Sequence, residues 1–176
     1  MPGGGKSTVG RQLSRQLGWE FVDTDAEIEG RVGLPIKAFF ERHGEAAFRE
    51  LEAEVVAQLT QPSAPRVLAT GGGVVLRPAN RTALHQRGTV VYLRSSPEEL
   101  FRRLRHDTQR PLLQVQDPLK RLRELYRERD PLYRQAAHFV IETGRPSVPS
   151  LVNMITMQLE LAGVLDPQRP PPRARG

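Results

Sequence analysis

Short apolar runs alternate with long amphipathic stretches along this chain of 176 residues. Four runs are rich in β-branched and aromatic residues, and they cover 19–23, 66–70, 89–94 and 138–143. Between them, apolar positions recur at the spacing of one helix face. The predicted helices cover 7–17, 25–32, a pair within 35–59, 78–86, 97–105, 118–137 and 148–162. This rhythm predicts an α/β protein with a parallel sheet and crossover helices.

The length and composition suit one globular domain, which we place at residues 1–163. The Pro- and Arg-rich end, 164–176, has no apolar face to bury and is predicted to be disordered. No apolar run approaches the roughly 18 residues of a membrane span, and no apolar leader is present. We therefore expect a cytoplasmic protein without a membrane segment. The absence of cysteine excludes disulfides, thiolate metal sites and a cysteine nucleophile.

The chain is basic, with a formal net charge of +6. Such a charge raises nucleic-acid binding as a hypothesis. Only Lys6, Lys37 and Lys120 are lysines, so arginine carries nearly all of the positive charge. A compositional bias that broad favours a solvated basic surface, and we predict that the protein has no nucleic-acid partner.

The start "GGGKST" (3–8) has the pattern that ends a phosphate-binding loop. It leads into the predicted helix 7–17, and a helix N-terminus offers free amide N–H groups and a positive dipole end to phosphate. Lys6 would add a point charge for the β and γ phosphates, and the Ser7 hydroxyl could coordinate Mg²⁺. The alternative is a flexible glycine-rich start in which the Lys-Ser pair is accidental.

The segment "FVDTD" (21–25) places Asp23 and Asp25 at the C-terminal end of a predicted strand. Ligands of open α/β sheets bind at that edge. The two carboxylates could divide the work, one lying near Mg²⁺ and the other accepting a hydrogen bond from a substrate hydroxyl. Alternatively, Asp23 or Thr24 only caps the following helix.

Two further segments could hold an anion. The three glycines of "TGGGVV" (70–75) follow an apolar run without an acidic residue, and their backbone could approach a ligand closely. "FRELE" (48–52) places Arg49 and Glu52 on one helix face, where the acid can hold the guanidinium in position. The alternatives are a plain turn and an ordinary surface ion pair.

Basic residues also mark the second half of the chain. "RRLRHDTQRPLL" (102–113) combines five basic side chains with a helix-breaking proline. Such a segment suits a lid over anionic phosphates, placed at about 105–116, although an exposed basic loop is the alternative. "RDPLYRQAA" brings Tyr133 and Arg134 near a helix end, where the guanidinium could pair with a carboxylate. The four histidines lack metal-ligand spacing.

From residue 2 to about residue 162, the chain resembles shikimate kinase. The resemblance lies in "GGGKSTVGRQL", "FVDTD", "FFERHGEAAFRELE", "VLATGGG", "RPLL" and "RDPLYRQAA", in the family's order. It implies ATP-dependent phosphorylation of the 3-hydroxyl of shikimate, a step toward chorismate and the aromatic amino acids, by a monomer that uses Mg²⁺. It also implies a three-layer P-loop kinase fold with a parallel five-stranded sheet in the order 2-3-1-4-5.

In that fold the first strand is central, between the strand that ends at Thr70 and the one that ends at Arg94. This sequence has no counterpart of it. Two buried strand edges would then carry unpaired backbone groups, each costing about 1 to 3 kcal/mol. We therefore expect a gap in the sheet, with Met1 as a misplaced start or a truncation boundary.

The resemblance also implies roles for individual residues. The implied catalytic residues are Lys6, Asp25 as the candidate base, and Arg110. The implied ATP-binding residues are Gly3, Gly4, Gly5, Lys6, Ser7, Thr8, Arg103, Arg110, Arg145 and Pro146. The implied shikimate-binding residues are Asp25, Phe40, Phe48, Arg49, Gly71, Gly72, Gly73 and Arg134. Glu52 would orient Arg49, while Ser7 would bind Mg²⁺ directly and Asp23 would reach it through water.

Three other interpretations stay open at this point. A gluconate kinase or a nucleoside monophosphate kinase would share the architecture, but Arg49, the triple glycine and Arg134 argue against both. A basic nucleic-acid-binding protein would show steep salt dependence and no effect of Asp25→Asn. An inactive pseudo-enzyme would bind without turnover.

Overall fold

A computed structural model describes residues 6–104, 116–144 and 146–166. The described helices are α1 (Lys6–Leu17), α2 (Thr24–Val32), α3 (Ile36–Leu59), α4 (Pro78–Arg87), α5 (Pro97–Leu104), α6 (Pro118–Ala136) and α7 (Val148–Leu161). The strands are β1 (Glu20–Asp23), β2 (Arg66–Ala69), β3 (Val91–Arg94) and β4 (Phe139–Glu142), and a short 3-10 helix covers Val74–Leu76. The predicted strands and helices are confirmed, with ends that shift by a few residues.

A kink divides α3 at Gly44, which has φ 80° and ψ 172°. This backbone conformation favours glycine, because a side chain would be strained there. The prediction of two helices within this segment is therefore confirmed. Phe39 and Phe48 lie on either side of the kink, with ring centroids 6.3 Å apart, and pack with Ile28 of α2.

The strands form two parallel pairs, β1 with β2 and β3 with β4. Within the described ranges no hydrogen-bonded ladder joins β2 to β3. A cavity of about 640 Å³ lies between these two edges, lined by Val67 and Ala69 on one side and by Val91 and Leu93 on the other. The α/β class is confirmed, and the cavity lies where the gap was predicted.

Helices cover both faces of the strand pairs. On one face, Val9 and Leu13 of α1 pack with Val152 and Ile155 of α7 against apolar side chains of β2, β3 and β4. On the other face, one cluster draws residues from α3, α4, α5 and α6 around Tyr92 of β3. Burial of each such aliphatic side chain contributes about 1.5 to 3 kcal/mol. Since α1 packs against β1 and β2, α7 packs against β4, and the two helices pack against each other, they hold the strand pairs together across the cavity.

The same packing brings the ends of three elements to one edge of the sheet. β1 ends at Asp23, and β2 ends at Ala69 just before the three glycines. Since the two strands are parallel, their C-terminal ends meet at one edge of the sheet. Lys6, the first described residue of α1, lines the cavity together with Thr70, so the start of α1 lies at this edge as well.

The described chain continues a short way past α7. Gly163 has φ 76°, and the amide of Val164 donates to Leu159 O at 2.9 Å. Leu165 packs against the α1–α7 cluster. Residues 164–166 are therefore folded onto the domain, although the predicted tail began at 164. The remainder of that tail, 167–176, and most of the predicted lid, 105–115, lie outside the described residues. None of the described helices is long and apolar enough to cross a bilayer.

Candidate active site

The start of α1 carries a lysine and a serine at its first two positions, Lys6 and Ser7. Burial lowers the pKa of Lys6, whereas the carboxylates of Asp25 and Asp23 act in the opposite direction. These two carboxylates therefore favour the ammonium form beside the free amides of the helix terminus. Thr8 is exposed on the same turn, and the predicted loop glycines Gly3, Gly4 and Gly5 lie outside the described residues.

Asp23 joins α1 to the end of β1. Its Oδ2 accepts a hydrogen bond from Ser7 Oγ at 2.8 Å. Its Oδ1 accepts from the amides of Asp25 and Ala26 at 2.9 and 3.3 Å, as the N-cap of α2. The capping interpretation is therefore confirmed through Oδ1, while Oδ2 faces Ser7 and its role near Mg²⁺ stays a prediction.

Asp25 follows in the first turn of α2 and faces the glycine segment. Burial raises the pKa of its carboxyl, and the negative charge of Asp23 raises it further, while Lys6 opposes this shift. A methyl group built at Gly71 would lie 2.7 Å from Asp25 Oδ1. The amide of Gly71 donates to Thr24 Oγ1 at 3.3 Å. The absence of a side chain at Gly71 is thus what lets the carboxylate approach the backbone.

Arg49 occupies the other side of the glycine segment. Its Nη1 donates to Glu52 Oε1 at 2.9 Å, and Glu52 is 1% exposed. Burial raises the pKa of Glu52, and the hydrogen bond from Arg49 counteracts it. A methyl group at Gly73 would lie 2.2 Å from Arg49 Nη1. The pair is buried against the glycines, so the surface-pair alternative is wrong, and Glu52 holds Arg49 as predicted.

An apolar wall continues from Arg49 along α3. The rings of Phe40 and Phe48 have centroids 4.7 Å apart, and the Arg49 guanidinium carbon lies 5.2 Å from the Phe48 centroid. Phe48 is 3% exposed and belongs to the α2–α3 core, while Phe40 is only partly buried. Phe40 therefore has the more accessible ring of the two.

The structure places Arg134 differently from the predicted site. Its side chain is 52% exposed, and its Nε pairs with Asp130 Oδ2 at 3.1 Å. Arg129, five residues earlier on α6, was not a predicted site residue. Five residues turn an α-helix through about 500°, so the two arginines point about 140° apart.

Arg129 lies on the buried side of α6. It donates a hydrogen bond to the Tyr133 hydroxyl, which in turn donates to the carbonyl of Gly72. The positive charge of Arg129 adds to burial in lowering the pKa of Lys6. Its buried Nε has no hydrogen-bond partner. The i, i+4 spacing of Arg129 and Tyr133 was the sequence signal for this residue.

The predicted adenine contacts are described only in part. Arg103 Nη2 donates to the carbonyl of Thr143 at 2.9 Å, which ties α5 to the end of β4. Gly144 has no room for a side chain, because a methyl group built there would lie 2.3 Å from Glu99 Oε1. Pro146 follows as a partly buried residue. Arg145 and Arg110, the residue predicted to lie in a lid, are outside the described residues.

The oxygen atoms near Ser7 suit a hard cation. Ser7 Oγ and Asp23 Oδ2 are 2.8 Å apart, and Mg²⁺ takes oxygen ligands while it keeps several waters. In the described part of the chain no group of three His, Cys, Asp or Glu side chains could form a protein cage for a metal. The residues present therefore fit an ion held mainly by phosphate and water.

Comparison with known proteins places this site in a family. A family model described as "Shikimate kinase" matches residues 2–160. The chain belongs to the shikimate kinase family. A shikimate kinase from Paracidovorax citrulli is 64% identical over 95% of this chain and 92% of its own length. One from Burkholderia pseudomallei is 58% identical over 93% of this chain and 88% of its own.

A solved structure supports the same family assignment. The shikimate kinase from Acinetobacter baumannii in complex with shikimate is 45% identical, with a TM-score of 0.83 over 93% of this chain and 90% of that one. The predicted enzyme class is therefore confirmed: the chain is a phosphotransferase of the shikimate kinase family, with ATP as a substrate. The gluconate and nucleoside monophosphate kinase alternatives lose their support.

Proposed function

We propose that the edge formed by α1, β1 and β2 transfers the γ-phosphoryl group of ATP to the 3-hydroxyl of shikimate. The observation that carries this proposal is the convergence of Lys6, Asp25 and Arg49 around the glycine segment. Phosphoryl transfer needs charge neutralisation and in-line positioning more than covalent chemistry. Lys6 offers a cation to the phosphates, Asp25 a carboxylate to the acceptor hydroxyl, and Arg49 a cation to the acceptor carboxylate, and together they supply those needs.

The phosphate side uses the start of α1. The amides of its first turn and Lys6 would contact the phosphates, and Lys6 would follow the group that is transferred. Ser7 would bind Mg²⁺ directly and Asp23 would reach it through water. The ion, when bound, would neutralise charge on the phosphate oxygens. Arg110 stays our prediction for the lid cation.

The acceptor side uses Asp25 and two arginines. Asp25 would accept a hydrogen bond from shikimate's hydroxyls, and its raised pKa makes it a better proton acceptor than an ordinary aspartate. Arg49 would pair with the carboxylate of shikimate over the glycine backbone. We assign the second carboxylate contact to Arg129 instead of Arg134, because the Nε of Arg129 is buried without a partner and Arg134 already pairs with Asp130.

Some finer features are proposed with this function. A fifth strand that filled the cavity between β2 and β3 would correspond to the first strand of the family fold. With five strands numbered in the family's way, the sheet would have the order 2-3-1-4-5, and the apolar lining of the cavity supports this. A crystal structure in which β2 and β3 hydrogen-bond directly to each other would contradict it.

Arg103, Arg145 and Pro146 would contact the adenine. A monomer without a nucleic-acid partner, in the cytoplasm, stays a prediction from the sequence.

The test is a coupled assay of ADP release with shikimate, gluconate and nucleoside monophosphates compared side by side. Turnover is expected only with shikimate, and Asp25→Asn should lower kcat by about 10² to 10⁴ while ATP binding is retained. Glu27→Gln, which removes an exposed carboxylate two residues away on α2, serves as the control. Turnover confined to another acceptor, or full activity of Asp25→Asn, would overturn the proposal.

A further inference from the structure

Asp130 is a buried carboxylate next in sequence to Arg129. It is 8% exposed and lies one turn before Arg134 on α6. Its Oδ1 accepts a hydrogen bond from the Tyr92 hydroxyl at 2.9 Å and lies 3.3 Å from Arg94 Nε, while its Oδ2 lies 3.1 Å from Arg134 Nε. One carboxylate thereby joins α6 to two residues of β3.

The helix needs such a connection at this point. Pro131 follows directly and has no amide N–H, so α6 loses one of its own hydrogen bonds beside Asp130. The direction of the last turns is then set by contacts with neighbouring elements. Those turns carry Tyr133, whose ring centroid lies 4.8 Å from that of Tyr92 and whose hydroxyl reaches Gly72.

We propose that Asp130 is a positioning residue that aims Arg129 at the carboxylate of the acceptor. Asp130 holds the Tyr92 side of the helix against β3, and Arg129, about 100° further round the helix, reaches the glycine segment through the Tyr133 hydroxyl and keeps a buried Nε without a partner. The carboxylate of Asp130 pairs with Arg94 of β3 and with Arg134, and it forms no ion pair with Arg129. This inference rests on the assignment of Arg129 to the acceptor in the proposed function.

The test uses Asp130→Asn, which keeps the shape and an acceptor for Tyr92 but weakens both ion pairs. The KM for shikimate should rise about 10- to 100-fold, as expected for a displaced binding group, while the KM for ATP changes by less than about twofold. Glu142→Gln is the matched control, because it removes the exposed acid that pairs with the same arginine, Arg94, at 3.3 Å. It should leave both KM values unchanged.

A double-mutant cycle separates positioning from general loosening of the fold. In an Arg129→Gln background, Asp130→Asn should change the KM for shikimate by less than about twofold, because the guanidinium that Asp130 positions is already absent. Equal, additive losses in both backgrounds would overturn the proposal, as would parallel rises in the two KM values. If Asp130→Asn does not fold, Tyr92→Phe tests the same connection, and an unchanged KM for shikimate there counts against it.

The cycle also distinguishes this inference from the proposed function. If Arg129→Gln alone leaves the KM for shikimate unchanged, the assignment of Arg129 fails and the positioning proposal fails with it. If Arg129→Gln raises that KM but Asp130→Asn does not, only the role of Asp130 is overturned. Wild-type turnover with shikimate defines the reference for both.

Discussion

Helices α3 and α6 each direct an arginine toward the glycine segment, but they hold it in different ways. Arg49 of α3 is fixed by a buried acid on its own helix, Glu52, at 2.9 Å. On α6 the acid next to Arg129 pairs with Arg94 and Arg134 instead, and Arg129 donates to the hydroxyl of Tyr133; the Nε of both Arg49 and Arg129 has no hydrogen bond. Both arginines therefore keep an N–H that a carboxylate of the acceptor could satisfy, but only Arg49 is held by a buried acid on its own helix.

The largest expected effect separates the two arginines of α6. Arg129→Gln should lower kcat/KM for shikimate by about 100-fold or more, because a buried charge that meets a carboxylate is lost. Arg134→Gln, the matched control on the exposed side, should stay within about twofold, as a partly exposed pair contributes little. Steady-state kinetics of both variants, with thermal melting as a check of folding, measures this. Equal losses would abolish the proposed distinction between the two positions.

A second prediction tests how firmly Arg49 is held on α3. Glu52→Gln leaves the guanidinium of Arg49 without its buried acidic partner, which costs about 3 kcal/mol and should lower the Tm by about 10 °C. The KM for shikimate should rise about tenfold, because Arg49 is no longer fixed over Gly73.

The control for that variant is Glu45→Gln, since the exposed Glu45 pairs with the same guanidinium through Nε at 3.5 Å. Its Tm should change by less than about 2 °C. If melting shows the two variants to be equally stable, burial of the Glu52 pair is not what holds Arg49.

The contrast between α3 and α6 also shows what the sequence could predict. Arg49 and Glu52 lie one turn apart, and Asp23 and Asp25 lie two residues apart, so local spacing was sufficient to place them. The side of α6 that faces the site depends on the contact of Asp130 with Tyr92, 38 residues away along the chain. No local pattern contains that contact, so the sequence pattern pointed to Arg134, whereas we propose Arg129.

The same reasoning explains the sheet. Four strands were legible as short runs rich in β-branched and aromatic residues, which favour strands. Their pairing depends on which edges meet, and β2 and β3 are separated by the cavity. Contacts of the loop glycines, the lid arginine Arg110 and Arg145 stay predictions, because those residues lie outside the described ranges.

The smallest predicted effect concerns the far end of α6, where substrate binding should not be involved. The rings of His85 and His138 stack with centroids 4.1 Å apart, and the amide of Val90 donates to His138 Nδ1 at 2.9 Å. Desolvation lowers the pKa of His138 below its usual 6.5, and the charge of His85 lowers it further. The unfolded chain therefore binds more protons, so this contribution to stability is full above about pH 6.5 and is lost as the pH falls through that value.

His138→Asn keeps a side-chain acceptor for Val90 but cannot titrate. Between about pH 7.5 and 5.5, the Tm of the wild type should fall by about 2 °C more than that of the variant. The KM for shikimate should respond to pH equally in both proteins, because this end of α6 lies beyond the turn that carries Arg129. A KM for shikimate that follows the titration of His138 would contradict this expectation, because it would show that a change at the far end of α6 reaches the turn that carries Arg129.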